Sequence, residues 1–93
     1  MIQIEFDKER TGQHFTKVFF DEESQKLYVP CWDKSIQLIC YWNEYMRIER
    51  DEGTYVDVTA IFPLMQTFLP ELATAALALL TKCQRGDYVP HAD

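Results

Sequence analysis

The stretch FTKVFFDEESQKLYVPCW, residues 15–32, decides the fold. Phe15 to Phe20 and Leu27 to Trp32 are rich in aromatic and β-branched residues, which suit a pleated, half-buried surface. Between them, Asp21-Glu22-Glu23-Ser24-Gln25-Lys26 is polar throughout and has the character of a turn. The whole predicts a β-hairpin closed by a longer loop rather than by a tight two-residue turn. Pro30 cannot donate to a ladder, so the second strand lies at an edge or ends there.

Working outward, Ile2 to Phe6 alternate apolar and polar residues, the period of a strand with one buried face. Lys8 to Gln13, with Gly12, is a polar connection. Residues 34–50 fit two patterns. Leu38, Tyr41, Trp42, Tyr45 and Met46 make one apolar helical stripe, with Asp33 or Ser35 to cap it and Arg47 and Arg50 at its end. The rival is a strand through Ile36, Leu38, Cys40 and Trp42, leading to a hairpin at Asp51-Glu52-Gly53. Spacing favours the helix and residue type the strand, and the helix is the expectation taken. Thr54 to Val58 is a further short strand.

A helix is expected from near Thr59 or Pro63 to Leu69, followed by another from Pro70 to about Gln84. Lys82 and Arg85 suit the last turn of the latter, and Gly86 suits the position just beyond it. The fold class that follows is α+β. It is a small antiparallel β-sheet of about three to four strands with two to three helices packed on one face. Residues 1–93 form a single compact domain whose tail, about 86–93, is irregular.

The chain carries nine Lys and Arg against fifteen Asp and Glu, a net charge of −6, and apolar residues make up 47% of it. A chain this apolar and aromatic buries enough surface to offset its ordering entropy, so disorder is excluded. A nucleic-acid binder neutralises phosphates with a basic face, which this composition does not provide. The rings of Phe15, Phe19, Phe20, Tyr28 and Trp32 could stack bases, but only Lys17 and Lys26 accompany them, so core packing accounts for them better. Residues 58–80 hold one charge, Glu71, but two prolines and several polar residues interrupt the run, against a membrane span. Residues 1–7 have acids where a signal peptide would have bases. Three cysteines, Cys31, Cys40 and Cys83, form no C-x-x-C pair and fit no disulfide framework, which suits reduced thiols in the cytosol.

No catalytic, cofactor or metal site is expected. His14, His91 and the three cysteines lack the short spacing of structural zinc ligands. A dyad of Cys31 and His14 would place its thiol near Asp33, which opposes the lowered pKa that a nucleophile needs. Nucleophile elbows, zinc-protease motifs and phosphate loops are missing from the sequence. Glu22 and Glu23, like Glu49, Asp51 and Glu52, sit in turns where solvent keeps a carboxylate ordinary, against acid–base work.

Surface recognition remains. The acids gather at segment ends and point to two acidic turns, Asp21, Glu22 and Glu23 in one, Asp51 and Glu52 in the other. Such turns steer a protein onto a basic partner protein, with Trp42 as an anchoring aromatic. Small acidic chains with aromatic-rich sheets are similar in size and charge to immunity proteins and to phage-encoded inhibitors of host nucleases and defence complexes. The resemblance implies an inhibitor or antagonist, not an enzyme. The alternative is a small subunit or assembly factor that oligomerises through the apolar helix 70–84. In a homodimer Leu72, Ala76, Leu79 and Leu80 would form the interface, alanines allowing close approach.

Overall fold

Alternation of apolar residues builds the sheet. A computed structural model describes residues 1–5, 17–31, 46–51 and 53–87. Five strands form there: β1 (Ile2–Glu5), β2 (Lys17–Asp21), β3 (Lys26–Pro30), β4 (Arg47–Arg50) and β5 (Gly53–Asp57). They make one sheet in the order β1-β2-β3-β5-β4, every neighbouring pair antiparallel. Two helices follow, α1 (Val58–Phe68) and α2 (Pro70–Arg85). The α+β expectation holds, with five strands where three to four were expected and two helices among the described residues.

One face of the sheet carries Ile4, Val18, Phe20, Leu27, Val29 and Val56, all buried. Ile61 and Met65 of α1 and Ala73, Ala76, Leu79, Leu80 and Cys83 of α2 close over it. The two helices are separated by Leu69 alone. Its backbone is extended in φ at −139°, as a residue before proline prefers, and Pro70 then starts α2 where a missing N–H costs nothing. Gly86, at φ 80°, ends α2 in a Schellman motif, with Gly86 N–H donating to Cys83 O and Asp87 N–H to Lys82 O.

The second face is also covered. Phe19, Tyr28 and Tyr55 are buried there with Ile48 against them, and the Phe19 and Tyr55 rings meet edge to face at 4.8 Å. The sheet curls toward this side, because Met1, just before the edge strand β1, meets Arg50 of the opposite edge strand β4. The Arg50 guanidinium stands 5.1 Å over the Phe19 ring, and its Nη2 lies 3.2 Å from Met1 Sδ. Strand twist brings diagonal corners of a sheet together in this way.

One expectation is corrected and another is met in one of its two forms. Residues 47–50 are a strand, not the end of a helix: Arg47 pairs with Val56, Ile48 with Tyr55 and Arg50 with Gly53, and this ladder overrides the local helical spacing. The rest of the 34–50 question, residues 34–45, lies outside the described residues. Pro30 ends its strand, as one of the two alternatives had it, but β3 is central rather than at an edge. Cys31 N–H donates to Thr54 O at 3.1 Å, toward β5. Pro30, one residue earlier, therefore turns its missing donor toward β2, where pairing has already stopped at Phe19 and Tyr28. No described helix is long and apolar enough to cross a membrane.

Candidate interaction surfaces

The turn between β2 and β3 is built by its own side chains. Asp21 accepts from Glu23 N–H at 3.1 Å through one carboxylate oxygen and from Ser24 Oγ at 2.9 Å through the other. Gln25 adopts a left-handed φ of 59° and donates from Nε2 to Glu22 O at 2.8 Å. The Ser24 hydroxyl, helped by backbone N–H groups, holds the Asp21 carboxyl below its ordinary value of 3.8. Asp21 is thus both a turn brace and a charge. Glu22 and Glu23 are exposed beside it. Lys26, which faces Asp21 across the ladder, sends its ammonium to Asp57 at 3.6 Å.

The second acidic turn differs in place and in charge. β3 runs antiparallel to both β2 and β5, so the 22–25 turn and the β4–β5 turn lie at opposite ends of the sheet. The curl of the sheet nevertheless sets Met1, beside Asp21 in register, against Arg50, so the two turns approach along that diagonal. Around Asp51, acids alternate with guanidinium groups: Glu49 pairs with Arg47 at 3.5 Å, and Arg50 precedes Asp51. Glu49, Arg50 and Asp51 line an open cleft of about 440 Å³ together with Met1, Gln3 and Phe19. Glu52 and the candidate anchor Trp42 lie outside the described residues, as do Cys40, His14 and His91.

The residues expected at a dimer interface belong to the core instead. Ala76, Leu79 and Leu80 are buried against the sheet and α1, and Leu72 is half-buried beside them. A helix that looks apolar all round in sequence presents one stripe inward, Ala73, Ala76, Leu79, Leu80 and Cys83, as helical spacing requires. Among the described residues, the large apolar side chains left outside are Phe68, 66% exposed, and Leu77, 47% exposed, besides Met1.

Sequence reasoning missed the role of Asp57. It is buried, accepts from Thr59 N–H at 2.9 Å and from Thr59 Oγ1 at 2.7 Å, and caps α1. The signal was present: an Asp directly before apolar residues at helical spacing, Val58, Ile61 and Met65. Tyr28 pairs with Asp57 across β3 and β5, and burial, aided by the Asp57 charge, raises its phenol above the ordinary value. Burial likewise pushes the Cys83 thiol up to about 11, so it stays protonated and unreactive at neutral pH. Among the described residues, no group of three or more His, Cys, Asp or Glu could hold a metal ion.

Compared with known proteins, the chain matches no family model, no curated protein and no solved structure.

Proposed function

We propose that the protein is a non-enzymatic binding module that docks its β2–β3 turn on a basic site of a partner protein, as an inhibitor or antagonist. One observation carries this reading: three consecutive acids, Asp21, Glu22 and Glu23, sit on a turn that is braced before any partner arrives. A preorganised loop loses less entropy on binding, and exposed like charges raise the association rate. The net charge of −6 repels nucleic acid and favours a basic protein. The Asp51 turn, with arginines interleaved, plays a lesser part. Cys83, an unbridged buried thiol, suits a reducing compartment such as the cytosol.

The test compares two tagged baits, the native chain and a Glu22→Lys, Glu23→Lys double variant, in one lysate under a salt gradient. Both positions are exposed, so the variant folds. The expected result is a basic protein kept by the native bait, released as salt shortens the screening length to about 3 Å near 1 M, and absent from the variant. Retention of the same proteins by both baits overturns the reading.

A further inference from the structure

The outer face of the helical layer is almost free of charge in a chain that carries −6 overall. Between Val58 and Leu80 Glu71 is the one charged residue, although Thr59, Pro63, Gln66, Thr67, Thr74 and Ala78 are all exposed. A groove of about 230 Å³ runs between the helices, lined by Phe62, Gln66, Pro70, Ala73, Thr74 and Leu77. Next to it a second hollow, of about 250 Å³, lies beneath the exposed Phe68.

The charges at the two ends of α2 decide what fits this face. Glu71 stands in its first turn, Lys82 and Arg85 in its last. At 3.6 residues per turn, Glu71, Thr74, Ala78 and Lys82 fall on one stripe, about three turns long. All four are exposed, with Leu77 at the groove-side margin of the stripe. Such a stripe is complementary to itself when reversed: acid meets base at both ends, and small residues meet at the middle.

We propose that this face takes a second copy of the same chain, the two α2 helices packing antiparallel about a two-fold axis near Leu77 and Ala78. Glu71 of each copy then faces Lys82 of the other, and each Leu77 covers the rim of the opposite groove. Two chains of charge −6 repel unless they meet where acids are sparse, and this face meets that condition. A standard interface takes about 800 Å² per partner, roughly an eighth of the 6093 Å² surface of the chain. The assembly uses the face of α2 opposite to the buried Ala76 and Leu79, and it is independent of docking by the acidic turn.

Sedimentation equilibrium of the full chain, from about 1 to 100 μM, tests it. The native protein is expected to give a dimer mass. Leu77→Glu, at a half-exposed site that leaves the fold intact, is expected to weaken the dimer at least about a hundredfold by burying an unpaired charge. Glu71→Lys and Lys82→Glu each weaken it about threefold to tenfold, and the double exchange restores it, because the pair is merely reversed. Thermal melts of each variant confirm the fold. A monomer mass for the native chain at about 100 μM overturns the proposal. So does a dimer indifferent to Leu77→Glu, or a double exchange no better than its parents.

Discussion

Replacing Asp57 tests how the sheet is joined to the helices, because this one carboxylate ends β5, starts α1 and meets Lys26 of β3. Asp57→Ala removes an N-cap made through Thr59 N–H at 2.9 Å and Thr59 Oγ1 at 2.7 Å, a loss of about 1–2 kcal/mol. It also removes the 3.6 Å ion pair with Lys26, whose side chain is 44% exposed. Solvent screens that partner, which limits the pair to within about 1 kcal/mol. The sum is about 1–3 kcal/mol, or a fall in Tm of about 5–20 °C for a domain of this size. Asp57→Asn keeps the capping oxygen and loses only the charge, so it should cost at most about 1 kcal/mol. Urea unfolding followed by circular dichroism at pH 7, with a common m-value, gives both differences. If alanine costs less than about 0.5 kcal/mol, or if asparagine costs as much as alanine, the capping account fails.

Three more outcomes are expected. Gln25→Ile should destabilise the chain by about 1–2 kcal/mol, because a β-branched residue resists the left-handed φ of 59°, whereas Gln25→Gly should not; equal melts would refute the strain. The folded state holds the Cys83 proton more tightly than the unfolded chain, so its contribution is complete below the ordinary thiol value of 9.0 and lost as pH rises through about 11. Tyr28 acts in the same direction from 10.0, so native protein should lose stability across that range and a Cys83→Ala, Tyr28→Phe variant less; parallel pH profiles would count against it. Asp21 has the opposite sign: its lowered pKa stabilises the turn above 3.8, and this is lost as pH falls through the folded value. Ser24→Ala should raise the Asp21 titration measured by carboxyl NMR, and an unchanged midpoint would exclude the hydroxyl as its main cause.

What the sequence made legible was local. Alternation in Ile2 to Phe6, the polar break at Asp21 to Lys26, and the sequence Lys82, Arg85, Gly86 each carry their structure in adjacent residues. Residues 47–50 were misread because Met46, Arg47 and Arg50 satisfy a helical spacing, while what makes them a strand is the hairpin ladder with Tyr55 and Val56, held down by Arg50 over the distant Phe19 ring. Pro30 was narrowed to an edge or a strand end for the same reason, since only the two neighbours of β3 show which side lacks a donor. Of the candidate surfaces, the acidity of both turns was plain, but their separation to opposite ends of the sheet and the arginines beside Asp51 needed the register. The inward side of α2 was also not legible, because Leu72 to Leu80 is apolar on every side and periodicity cannot orient such a run.

The strand order has a kinetic consequence. β1, β2 and β3 are joined in sequence, as are β4, β5, α1 and α2, and the two groups meet through the core under the helices and along one strand ladder, in which Tyr28, Val29 and Pro30 face Asp57, Val56 and Tyr55. Each group can form from contacts between chain neighbours, but that ladder must wait for chain positions as far apart as Pro30 and Tyr55 to meet. Trimming Val29 or Val56 should therefore slow folding, whereas trimming Ala73 or Leu79 should mainly hasten unfolding. The same seam makes the protein divisible: a chain cut between Cys31 and Met46 should yield two fragments that recover the fold only when mixed, at a rate set by their concentrations.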